Sequence, residues 1–168
     1  PDMPSEGMAR KEYVETKFGG PERAVQIYAR VAAVGNELGL PFQFEKIQRQ
    51  PNTINAHRLI RYVGNQGKQD AVVEALFRAF FIEIRDIGDV DTLSDIAASA
   101  GLNRDAAHEY LSSEDGAGAA RHEDAVARQL GITGVPFFVF GGKYAVSGAQ
   151  DADVLLQAWH EANRELAI

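Results

Sequence analysis

The sequence predicts an α/β chain in two parts, an all-helical stretch over about residues 1–127 and a small strand–hairpin–strand–helix unit over about 128–168. Two observations carry this expectation. Upstream, apolar residues recur at three- and four-residue spacing between capping and breaking residues, the signature of amphipathic helices. Downstream, Phe137-Phe-Val-Phe140 is a short aromatic and β-branched run bounded by Gly134-Val-Pro136 and Gly141-Gly142, as expected of a buried strand entering a hairpin.

In chain order, Ser5 to Met8 leads into a short helix ending at Phe18-Gly-Gly20, and Pro21 suits the first turn of the next. There Ala24, Ile27, Tyr28, Val31, Gly35 and Leu38 share a face until Gly39 and Pro41 stop the helix. Phe42-Gln-Phe44 alternates and reads as extended, and Gln50-Pro51 keeps the chain out of helix. Asn52 and Thr53 are capping candidates for a helix running to Asn65, stopped by Gly67. A long apolar helix follows from Asp70 to about Ile84, with Val72, Val73, Leu76, Phe77, Phe80, Phe81 and Ile84 on a wide buried face. Asp91-Thr92 then caps a helix ending at Gly101, Asn103 caps another to about Leu111, and Asp115 or Gly116 opens the last before the hairpin.

Ala119 to Leu130 reads as helix, with Gly131 as its left-handed terminator. Lys143 to Ser147 returns as a second strand, and Asp151 caps a helix over about Ala152–Leu166. Pro136 opens its strand without an N–H, so it needs a sheet edge, a bulge or a cis bond; spacing alone leaves these open.

Composition narrows the classes. A net charge of -7 disfavours non-specific nucleic-acid binding, and no apolar run approaches a membrane span. There is no cysteine, which excludes a disulfide framework and cysteine metal sites. His108, His122 and His160 are scattered over polar faces, so no metal site is expected. Ser147 lacks a nucleophile elbow and reads as a strand-end hydrogen-bonding residue. His57 sits near a helix N-terminus beside Ile60 and Arg61. Its plain reading is a solvated histidine; its functional reading is a residue facing a groove that Asn52 and Asn55 also line. Both asparagines serve equally well as turn and cap residues. The phenylalanines at 77, 80, 81, 137, 138 and 140 read first as core.

The order strand, hairpin, strand, helix entered through Gly134-Val135-Pro136 resembles the C-terminal half of a thioredoxin fold. Ser147-Gly-Ala-Gln150 is similar to the DsbA-like family of FrnE type. So are Pro1-Asp-Met-Pro4, Glu6-Gly7, Glu12-Tyr13, Lys17-Phe-Gly-Gly20, Asn52 to Leu59, Gly67 to Asp70 and Leu76 to Phe81. The resemblance covers nearly the whole chain. It implies a thioredoxin-like fold with a large helical insertion over 1–127, the C-terminal half of the thioredoxin domain over 128–168, and a cis Pro136. Gly134, Val135 and Pro136 would then border the substrate site, with Val135 pairing through its backbone to an extended peptide or to glutathione.

The family's first strand, its Cys-x-x-Cys helix and its second strand are not among these residues; the resemblance places them upstream of Pro1. Three readings follow. The leading one is a FrnE-type thiol–disulfide oxidoreductase acting on a substrate protein or small thiol. The second is a glutathione-dependent isomerase or transferase of the kappa or 2-hydroxychromene-2-carboxylate isomerase type, whose aromatic-Gly-Gln-Asp-Arg pattern Ser147-Gly-Ala-Gln-Asp151 departs from. The third is a non-catalytic peptide-binding module. No bound cofactor is expected beyond glutathione, a homodimer is left open, and the location implied is cytoplasmic. The bare edge of Phe137–Phe140 is further expected to find partner strands in the full protein.

Overall fold

The structure, a computed structural model, describes residues 3–166; Pro1 and Asp2 of the N-terminal motif lie outside them. The chain divides into two compact units, one up to His122 and one from Glu123. The expected α/β class holds, with helices dominating.

The first unit begins with a two-residue strand β1 (Met8–Ala9) that pairs antiparallel with β2 (Arg49–Gln50), Met8 opposite Gln50. This small ladder interrupts the all-helical expectation, and two residues per strand are too few to leave an alternating pattern. Gly7 makes it possible: at φ +76° its absent Cβ would lie 2.5 Å from the Gln50 carbonyl oxygen. Helices α1 (Arg10–Phe18) and α2 (Pro21–Glu37) follow, α1 ending in a left-handed Gly19 whose N–H bonds the Glu15 carbonyl.

In α2 the expected buried face is only partly buried. Ala24 and Gly35 are inside, whereas Ile27, Val31 and Leu38 are exposed. The helix turns its small residues inward because the space there is taken by aromatics; a Cβ on Gly35 would meet the Phe42 ring at 2.6 Å. Phe44 belongs to a 3-10 turn, Phe44–Lys46, rather than to an extended piece. Its ring stacks on Tyr28 at 4.9 Å, which the tighter turn permits.

The core of this unit is built from α3 (Ile54–Tyr62), α4 (Gln69–Phe81), α5 (Val90–Ser99) and α6 (Arg104–Ser112). Leu59, Val63, Val72, Leu76, Phe80 and Leu93 are among the side chains sealed there. Helix α4 stops at Phe81, three residues before the expected end, and Ile84 adopts φ +59° outside it. Phe77 is exposed, not core, whereas Ile84 still packs against the core.

Asp89, not Asp91 or Thr92, caps α5: its carboxylate accepts the Thr92 N–H at 2.8 Å. Asn103 caps α6 as expected, accepting from the Ala106 N–H at 2.9 Å. Asp89→Ala should lower stability by about 1 kcal/mol in urea unfolding, while Asp91→Ala, whose carboxylate pairs with Arg104 on the surface, should cost less than half of that. Equal effects would contradict the assignment of the cap.

Helix α7 (Ala117–Gln129) starts directly after Gly116, one of the two expected openings, and ends one residue short of Leu130. The second unit continues with β3 (Phe137–Phe140), β4 (Tyr144–Ser147) and α8 (Ala152–Leu166). The two strands pair antiparallel, Phe137 opposite Ser147 and Phe140 opposite Tyr144. The return strand begins at Tyr144 because Gly141, Gly142 and Lys143 form the turn, closed by the Lys143 N–H on the Phe140 carbonyl.

Candidate functional site

The loop between α7 and β3 is set up by Gly131. At φ +76° it ends α7 with two bonds, its own N–H to the Arg128 carbonyl and that of Ile132 to Ala127, at 2.9 and 3.0 Å. That 5→2 and 6→1 pair is the Schellman terminator, which only a left-handed residue permits without cost. The chain then leaves the helix through Thr133 and Gly134 to the Val135–Pro136 peptide, which is cis.

Gly134, Val135 and Pro136 are all exposed, Val135 at 90%. The Pro136 carbonyl accepts the Gly148 N–H at 2.8 Å and so is tied to the end of β4. Val135, by contrast, has no backbone hydrogen-bond partner among the described residues. One N–H and one C=O of an exposed residue, on a loop pinned at both ends, can pair with an extended chain. Beyond β4 the backbone is held by Gln150, whose side-chain amide donates to the Ser147 carbonyl at 3.1 Å. Ser147 thus acts through its carbonyl at a strand end.

The other expected site residues lie in the first unit. Asn52 is occupied on both ends: its oxygen accepts the Ile54 N–H at 3.0 Å, and its amide donates to the Met3 and Pro4 carbonyls. Thr53, at the helix boundary itself, makes no side-chain cap. Asn55 accepts from the Arg58 guanidinium at 2.8 Å. His57 is exposed on α3, one turn from its start. The two asparagines are thus committed to the fold, and His57 alone of the three carries an exposed side chain.

The polar residue that organises this region is Arg58, which periodicity did not single out. It is 3% exposed and its guanidinium uses all five N–H groups. Four go to the main-chain carbonyls of Tyr110, Leu111, Ser113 and Asp115, and one to Asn55. On the surface, Asp91 and Asp95 bridge α5 to Arg104, and Asp95 also meets Arg85 at 3.1 Å. The hydrogen bond from Arg104 holds the Asp95 carboxyl below its ordinary range. Among the described residues no three metal-capable side chains converge, and no helix is long and apolar enough to cross a membrane.

A family model described as a DSBA-like thioredoxin domain matches residues 1–160. The chain belongs to that family. Among solved structures, a chain from Streptomyces coelicolor described as a probable DsbA oxidoreductase superposes with a TM-score of 0.84 at 29% identity, over 98% of this chain and 72% of that one. A second, from Nitrosomonas europaea and provisionally assigned as a protein disulfide isomerase, gives a TM-score of 0.73 at 20% identity, over 92% and 88%; at that identity it speaks for the fold alone. No curated protein sequence matches significantly. Among the described residues, Val135 at the entry to β3 has backbone groups without a backbone partner.

Proposed function

We propose that this DsbA-like chain belongs to a thiol–disulfide oxidoreductase of FrnE type and supplies its substrate-aligning loop. The observation that carries the reading is Val135: 90% exposed, with its N–H and C=O unpaired among the described residues, next to Pro136 at the mouth of β3. An extended substrate segment, or the peptide-like backbone of glutathione, pairs there as a short added strand. Because recognition runs through the main chain, it tolerates varied side chains, as a general disulfide catalyst requires. The thiolate that attacks the disulfide is not among the 168 residues, and the reading assigns it to residues outside them.

The test separates backbone from side chain. Isotope-labelled protein is titrated with a disulfide-containing extended peptide, following the amide signals of Gly134, Val135 and Phe137. Val135→Ala keeps both backbone groups and should bind within about twofold of the parent. Val135→Pro removes one N–H and should weaken binding about five- to tenfold, the weight of one hydrogen bond. Equal binding by the two variants, or signal changes elsewhere only, would remove the loop from substrate recognition.

A further inference from the structure

An apolar concavity of the first unit plays no part in the proposed chemistry. It is an open groove of about 540 Å³ between α1, α2 and the 3-10 turn, within the roughly 300–1,000 Å³ typical of small-molecule sites. Its floor and walls are Val14, Ala24, Ala29, Tyr28 and Phe44. Val25 on the rim is 66% exposed, although its neighbours in the groove are apolar.

Charge is distributed unevenly along it. Arg10 and Lys11 line the groove, against a single acidic lining residue, Glu45. Arg10 is held in place: its guanidinium donates to the Gln50 side chain and lies 4.8 Å from the centre of the Tyr28 ring and 5.3 Å from that of Tyr13. Lys11 is exposed and has no partner among the described residues. In a chain of net charge -7, two adjacent cations beside an apolar trough are a local reversal of sign.

We propose that this groove binds a linear anionic amphiphile, an aliphatic monocarboxylate. The alkyl chain lies along Val14, Val25 and Ala29 over the Tyr28 and Phe44 rings, and the carboxylate meets Arg10 and Lys11. The apolar contact supplies the driving force; the cations set the polarity and the sign of the headgroup. A cationic amphiphile of equal length would gain the same apolar contact but meet like charge.

The experiment is calorimetric titration of the 168-residue chain with sodium decanoate and, in parallel, with decyltrimethylammonium bromide, both below micelle formation. Decanoate should saturate one site, and the ammonium should bind at least about tenfold more weakly despite the chain's negative charge. Lys11→Gln should weaken decanoate about threefold to fivefold, as for one partly exposed charge pair. Ala29→Trp, which fills the groove from an exposed helix position, should weaken it tenfold or more. If that variant unfolds, Val25→Glu, which places a carboxylate on the rim, should have the same effect. No saturation by decanoate, tighter binding of the ammonium, or decanoate affinity unchanged in the groove-blocking variant would each overturn the proposal.

Discussion

Replacing Arg58 by Met should cost the helical unit about 3–5 kcal/mol, the usual penalty for removing one partner of a buried charged network. Methionine nearly preserves the apolar stem, so the loss reports the guanidinium. Tyr110 and Leu111 are in the last turn of α6, where carbonyls lack the N–H four residues on; the Tyr110 carbonyl also takes the Ser113 N–H and hydroxyl, and Ser113 and Asp115 follow in the connection to α7. Arg58 donates to all four at 2.7–3.0 Å and sits 5.1 Å from the centre of the Tyr110 ring, which stacks on Tyr62. Its positive charge also faces the negative end of the α6 dipole. Lysine offers three donors from one point and cannot reach four diverging carbonyls, so Arg58→Lys should recover less than half of the loss. Urea unfolding with an unchanged slope is the measurement. A loss below about 1 kcal/mol for Met would mean that water replaces the guanidinium, at a cost too small for a buried network.

The 168-residue chain by itself should show no dithiol-dependent reduction of insulin above the uncatalysed rate. Disulfide exchange proceeds by attack of a thiolate on sulfur, and the chain contains no cysteine. The hydroxyl of Ser147 and the imidazole of His57 cannot substitute, because the exchange must pass through a mixed disulfide. The expected outcome is therefore full loss of turnover alongside retained peptide binding at Val135. Turnover in a preparation free of contaminating reductases would overturn the assignment of the chemistry to a thiol outside these residues. Turnover that appears only when a cysteine-bearing segment is joined to the chain would support it.

Much of the fold was legible in the sequence because it depends on neighbours within one helical turn or one hairpin. Asn103 as a cap, Gly131 as a terminator, and Phe137–Phe140 turning through Gly141-Gly142 are local bargains of backbone geometry, readable from residue types alone. The membership in a DsbA-like thioredoxin family was likewise carried by short stretches such as Gly134-Val-Pro136 and Asn52 to Leu59. Only the tertiary structure decided which face of α2 is buried, since Ile27, Val31 and Leu38 have the right period but the Phe42 ring already occupies the space that Gly35 leaves. It alone showed the two-residue ladder of Met8–Ala9 with Arg49–Gln50, because partners 40 and 42 residues apart leave no periodic trace. The role of Arg58 has the same origin: an arginine on a helix reads as solvated until a distant helix ends above it, and the carbonyls it collects are 52–57 residues away in sequence. Periodicity encodes which residues can share a face; what that face meets is settled by packing between segments far apart in the chain.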